Sequence, residues 1–221
     1  MERQLQGRII IRPCNCQYKT ETMGKTLYIM AGCNGAGKTT AAYTLLPEMY
    51  KCKEFVNSDE IARGLSPFKP EAVSVQAGKI MLNRIDELLK GNKSFAVETT
   101  LSSRYYLSII RKAHDNGFRV FLLFFWLRLP EIAIKRVAQR VAEGGHSVPV
   151  SIIKRRYYSG INNFFKLYIN QVDYWSIIDN TMQPRIIIAT GNNDQLCTLY
   201  HPDLFNQIKS HVGERNVKAD K

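Results

Sequence analysis

Gly32-Cys33-Asn34-Gly35-Ala36-Gly37-Lys38-Thr39 is the stretch that decides the fold, because it satisfies G-x-x-x-x-G-K-[ST] at every position. Ahead of it, Thr26–Ala31 (TLYIMA) is a short β-rich run, and a helix is expected from about Gly37 to Met49. A strand, a glycine-rich turn and a helix are the context in which this motif cradles phosphate. Glycines let successive backbone N–H groups face inward, and the helix presents its N-terminal donors and dipole to negative charge. Lys38 is placed to reach the β- and γ-phosphates, and Thr39 to offer a hydroxyl to Mg²⁺. Gly32, Asn34, Gly35, Ala36, Gly37, Lys38, Thr39 and Thr40 are therefore the expected nucleotide-binding set, for ATP or GTP, with Thr39 on the metal.

Outward from this motif the chain alternates strand and helix. Strands are expected at Glu54–Asn57, Ser94–Val97, Arg119–Leu127 and Arg185–Ala189. Helices are expected from Pro70 to Lys90, Arg104 to Asn116, Pro130 to Gly144-Gly145, Val150 to Gln171 and from Pro202 onward. Arg119–Leu127 (RVFLLFFWL) is apolar on both faces, as a central strand of a parallel sheet must be. The expected class is α/β, a kinase-like P-loop NTPase with a central parallel β-sheet flanked by helices and an Arg-rich helical lid. Residues 1–22 lack periodicity and read as an N-terminal arm, with a single domain over 23–221.

The 221 residues suffice for one such domain. No apolar run approaches the roughly 18 residues needed to cross a bilayer. Arg8 and Arg12 flank only Ile9-Ile10-Ile11, which is no secretory signal, so a cytoplasmic protein without a membrane partner is expected. The five cysteines (14, 16, 33, 52 and 197) are scattered. Cys14 and Cys16 lack a second Cys/His pair at zinc-site spacing, so reduced, structurally incidental thiols are expected. The net charge of +12 calls for anionic partners. Between Arg104 and Lys166, twelve Lys/Arg stand against three acids, so most of the imbalance sits in one stretch. Phosphates of a nucleotide or nucleotide-linked substrate would explain it, and so would nucleic acid.

Ligands of open α/β sheets meet the carboxyl ends of the strands. Asp59 follows the second strand and Glu98 ends the third, followed by Thr99 and Thr100. A kinase acting on an alcohol needs a carboxylate to orient or accept the hydroxyl proton. Asp59 is the candidate base, and Glu98, Thr99 and Thr100 are candidate substrate or metal contacts. Asp59, and Thr99 or Thr100, have a structural alternative as helix caps. Arg136 and Arg140 share a helical face, while Arg155 and Arg156 follow the turn at 144–149. Arginines on a closing segment can neutralise charge on a transferred phosphoryl group. His146 reads as a local cap.

GCNGAGKT (32–39), NSDEIARGLSP (57–67), FAVETTLSS (95–103), RVAQRVAEGGHSVP (136–149) and RRYYSGINN (155–163) together resemble the zeta-toxin family of P-loop kinases, in its short GGHxVP form. The similarity runs from about Met23 to Ala189. It implies ATP-dependent phosphorylation of the 3′-hydroxyl of the amino sugar in UDP-N-acetylglucosamine, and an antitoxin protein as partner. Lys38 would then bind phosphate and Asp59 activate the sugar hydroxyl. Arg140 with Arg155 or Arg156 would clamp the γ-phosphate, and Glu98 and Thr100 would line the substrate site; Thr99 and Arg136 are also expected on the substrate side. Two other readings stand beside this one: a P-loop kinase or ATPase acting on nucleic acid, and a non-catalytic nucleotide-binding module.

Overall fold

The structure, a computed structural model, describes residues 24–145 and 147–213. The arm at 1–22 with Cys14 and Cys16, the cap role of His146 and the polar tail after 213 lie outside the described residues. The strands are β1 (Thr26–Ala31), β2 (Glu54–Val56), β3 (Phe95–Thr99), β4 (Arg119–Trp126), β5 (Tyr174–Asp179), β6 (Ile186–Asn192) and β7 (Gln195–Leu199). The helices are α1 (Lys38–Met49), α2 (Ser58–Leu65), α3 (Ser74–Lys90), α4 (Tyr106–Asp115), α5 (Pro130–Ala142), α6 (Val150–Asn163) and α7 (Pro202–Ser210). The strands form one sheet in the order β2-β3-β1-β4-β5-β6-β7.

The first five strands of that order are parallel, with β1 between β3 and β4. Chain leaving β1 goes to one side of the sheet and chain leaving β3 crosses to the other. The crevice at the C-terminal ends of β1 and β3 is thus the switch point where such sheets bind ligands. β1 and β4 are buried almost throughout, which is why both read as unbroken apolar runs. Aromatic rings from β4, β5 and the segment just after α6 pack across the core, with Phe124 against Phe164 and Phe121 against Tyr174.

Several expectations need correction. β5 is missing from the sequence reading, and so is β7. The helix expected over 150–171 ends at Asn163, continuing as a π turn over Phe164–Tyr168 and a 3-10 turn over Ile169–Gln171. The chain therefore reaches Tyr174 already turned into a strand. The sheet is not parallel to its end: β5–β6 and β6–β7 are antiparallel. Six residues (180–185) join β5 to β6, too few for the dozen or more a parallel crossover requires. The helix expected from Pro70 opens as a 3-10 turn over Pro70–Val73. Finally, β3 runs to Thr99, so Glu98 lies within the strand and not at its end.

α6 sits over the C-terminal ends of β3 and β4. Trp126 Nε1 donates to Tyr157 Oη at 3.0 Å, and that hydroxyl donates to the Leu127 carbonyl at 2.8 Å. Gly160 permits the approach, since a Cβ there would stand 2.8 Å from the Thr100 carbonyl oxygen. With Asn163 Nδ2 donating to Leu101 O at 2.8 Å, helix and loop hold each other. The same seating presents the preceding turn of α6 to the end of β1.

Candidate functional site

β1 ends where the glycine-rich turn begins. Gly32 N donates to Thr99 O at 3.2 Å, fastening the turn to β3. Gly37 adopts φ +78° as the residue before α1, and a Cβ on it would lie 2.5 Å from Asn180 Nδ2. That amide donates to the Ala36 carbonyl at 2.7 Å. Glycine at 37 is thus demanded by backbone conformation and by the close approach of β5's end. Asn180 escaped the sequence reading because β5 did. The N-terminus of α1 opens into this cradle without an acidic residue in its first turn, leaving its donors and dipole to an anion.

One carboxylate organises the floor. Lys38 is buried, its Nζ donating to Cys33 O at 2.9 Å and standing 3.3 Å from Glu98 Oε1. Thr39 Oγ1 donates to Glu98 Oε2 at 2.7 Å, and Asn57 Nδ2 donates to the same oxygen at 2.9 Å. Asn57 also caps α2, its Oδ1 accepting from Asp59 N at 2.8 Å. A single buried amide therefore links the phosphate-side carboxylate to the backbone of Asp59. Asp59 lies in the first turn of α2, two residues past the cap, and is exposed. Asn57 was legible only as the end of a strand. Its signal was there in Asn-x-Asp ahead of a helix, which is an N-cap pattern.

Glu98 Oε2 and Thr39 Oγ1 form a compact set of hard oxygen donors beside the cradle. That chemistry fits Mg²⁺, which prefers carboxylate and hydroxyl oxygens together with phosphate and retained water. Thr99 and Thr100 are turned toward their own loop: Thr99 Oγ1 accepts from Leu101 N at 3.0 Å, and Thr100 Oγ1 lies 2.8 Å from Ser102 Oγ. Thr40 is exposed on α1.

The lid arginines separate. Arg156 on α6 donates from Nη1 to Asn34 Oδ1 at 2.9 Å, putting a guanidinium directly on the glycine-rich turn. Burial holds its pKa below the ordinary arginine value, Asp59 opposes that shift, and Arg155 adds to it. Asp59 and Arg156 therefore share one electrostatic environment across the crevice. Arg155 is exposed on the neighbouring face of α6. Arg136 on α5 donates from Nη2 to Thr181 O at 2.8 Å, in the loop after β5. The stem of Arg140 lies along Gly145, where a Cβ would come within 2.6 Å of its Cγ.

Part of the basic stretch 104–166 is committed to internal contacts. Lys112 pairs with Asp86, Arg128 with the buried Asp179, and Lys154 with Glu131. Among the described residues no group of His, Cys, Asp and Glu is arranged as a metal site. No helix among them is long and apolar enough to cross a membrane.

The pattern of the zeta toxin family matches residues 14–187. The chain belongs to the zeta toxin family. A protein of Haemophilus influenzae (strain Rd) described as uncharacterized is 30% identical over 126 residues, 57% of this chain and 88% of that one. The AvrRxo1-ORF1:AvrRxo1-ORF2 complex with sulphate ions matches with a TM-score of 0.70 at 20% identity, over 89% of this zeta toxin chain and 67% of that one. The same complex has been solved with ATP, at a TM-score of 0.68 and 19% identity over 91% and 68% of the two chains. The PezAT toxin–antitoxin system of Streptococcus pneumoniae matches at 0.60 and 14% identity, over 92% and 84%. Family and fold agree on a nucleotide-binding P-loop kinase, a phosphotransferase.

Proposed function

We propose that this zeta toxin family member transfers the γ-phosphoryl group of ATP to a hydroxyl of a small molecule, a nucleotide sugar such as UDP-N-acetylglucosamine being the acceptor. The carrying observation is the Glu98 hub, which joins Lys38 and Thr39 on the phosphate side to Asn57, and through it to Asp59, on the acceptor side. The backbone N–H groups of Gly35 to Thr39 hold the phosphates, and Lys38 turns from Glu98 to the β- and γ-oxygens. Thr39 and Glu98 would hold Mg²⁺, which when bound neutralises charge on the transferred group. Asp59 accepts the acceptor's hydroxyl proton as that oxygen bonds to the γ-phosphorus. The bond between that phosphorus and the β,γ-bridging oxygen breaks, and ADP carries the electron pair away. Arg156, which donates to Asn34 on the glycine-rich turn, stabilises the charge on the phosphoryl oxygens together with Arg140, and Arg136 lies on the same helix as Arg140.

The nucleotide-sugar reading rests on the resemblance of the segments around Asp59, Glu98 and the lid. The test is consumption of ATP, and separately GTP, by purified protein with Mg²⁺, with and without UDP-N-acetylglucosamine, reading the product by mass. A product one phosphate heavier that disappears in Lys38→Ala supports the proposal. ATP turnover unaffected by the sugar, with no phosphorylated sugar formed, would discard this acceptor. The PezAT system also supports an antitoxin-type protein partner. Growth arrest by the wild type but not by Lys38→Ala is the expected outcome, and equal arrest by both would remove kinase activity as its cause.

A further inference from the structure

The edge of the sheet opposite the nucleotide crevice carries a second cationic surface that the kinase chemistry does not use. Each of four neighbouring strands begins there with a basic residue: Lys53 before β2, Lys93 two residues before β3, Lys25 before β1 and Arg119 at the start of β4. Hydrogen bonds clamp these starts together. Cys52 Sγ donates to Ser94 O at 3.6 Å, Thr26 N to Ser94 Oγ at 2.9 Å, and Arg119 N to Lys25 O at 3.1 Å. Lys25 Nζ itself is held by Gly91 O and Asn92 Oδ1 and lies over the Phe118 ring. With strands about 4.8 Å apart, the row spans about 14 Å. Lys51 precedes β2 and Lys90 ends α3, and Lys51, Lys53, Lys90, Lys93 and Arg119 are all exposed.

Helix C-termini meet this edge and favour cations, but that does not account for the row. α1 has no basic residue in its last turn, and only Lys90 of the row lies in the last turn of a helix. Neighbouring acids offset it only in part, because four of the six are engaged with other groups. Glu54 and Glu87 both pair with Arg84, Asp86 pairs with Lys112, and Asp173 contacts His114 and the Val120 N–H. Glu48 and Asp115 are the other acids nearby, while Asp194 lies in the β6–β7 turn on the far side of β5.

We propose that this edge docks the phosphodiester backbone of double-stranded nucleic acid without reading its sequence. A line of lysine and arginine on clamped strand starts matches a line of phosphates. Phe118, the ring at its centre, is buried beneath Lys25 and offers no face to an unstacked base, which favours duplex over single strand. The large exposed apolar side chains lie elsewhere, on Tyr43, Phe68, Val75, Met182 and others, so no hydrophobic anchor accompanies the charge as insertion into lipid would need.

The experiment is fluorescence anisotropy of a labelled duplex of about 20 base pairs over about 50–200 mM salt. The full chain is compared with Lys53→Glu/Lys93→Glu/Arg119→Glu and with the neutral Gln triple at the same positions. Wild type is expected to bind with a steep negative dependence on salt. The Gln triple should flatten the log–log slope by about 2–3, and both triples should weaken low-salt binding at least about tenfold. ATP consumption should be unchanged in both, which separates this outcome from any failure of the kinase reading. Unchanged duplex binding in the triples would overturn the proposal. So would loss of binding on Arg155→Glu at the lid instead, or a preference for phosphatidylserine vesicles over duplex.

Discussion

Asn57 is the residue on which the two halves of the site depend, and it does two separable things. Its Nδ2 satisfies Glu98 while its Oδ1 caps α2. Asn57→Ala removes both, and cap loss alone is worth about 1 kcal/mol. A buried carboxylate oxygen deprived of a donor adds about 1–3 kcal/mol, reduced here because Thr39 still serves that oxygen. Urea unfolding should therefore show a loss of about 1–3 kcal/mol. Asn57→Asp keeps the cap acceptor but sets a second carboxylate against Glu98. It should recover the cap's share of stability while kcat stays depressed. Equal kcat in Asp and wild type would show that the link to Glu98 is not needed for turnover. Asp59 gives a cleaner contrast, because its side chain is exposed and its loss exposes no buried partner. Asp59→Asn should lower kcat by about 10²–10⁴ with nucleotide affinity nearly unchanged, measured by isothermal calorimetry beside steady-state rates.

α6 resolves a choice that adjacency in sequence left open. Neighbouring helical residues point about 100° apart, so Arg155 and Arg156 cannot both face the glycine-rich turn. Seating by Tyr157, Gly160 and Asn163 gives that face to Arg156. Removing an arginine that stabilises phosphoryl charge costs about 10³–10⁵ in rate. Arg156→Ala should fall toward that range, while Arg155→Ala should stay within about tenfold of wild type. Comparable losses in both would mean that α6 rotates during turnover. β1, α1 and β4 were legible because their signals are local: a complete phosphate motif, and runs buried on both faces. β5 was not, since Tyr174–Asp179 follows the π and 3-10 turns with no glycine or proline to announce a strand. Its loss hid Asn180 and the Asp179–Arg128 pair. The Glu98 hub was half legible: its position near the strand end was clear, but its partners come from the start of α1 and the cap of α2, both distant in sequence.

At the scale of the whole molecule, the nucleotide crevice is a place where several parts of the chain converge. The turn after β1 touches β3 through Gly32, the loop after β5 through Ala36, and α6 through Asn34. A ligand filling this crevice contacts all of them at once, so its binding energy adds to the stability of the entire fold. At a nucleotide concentration of about 100 times Kd, linkage predicts about 2.7 kcal/mol of stabilisation. For a domain of this size each kcal/mol raises Tm by about 2–4 °C, which gives an expected shift of about 5–10 °C with Mg²⁺-ATP. Asp59→Asn should keep that shift, because Asp59 acts on the acceptor. Lys38→Ala should lose most of it, because the cation that faces the phosphates is gone. Thermal unfolding followed by circular dichroism, with matched ligand saturation, distinguishes these cases. If Asp59→Asn lost the shift as completely as Lys38→Ala, Asp59 would belong to nucleotide binding, and the division of the crevice into a phosphate side and an acceptor side would fall.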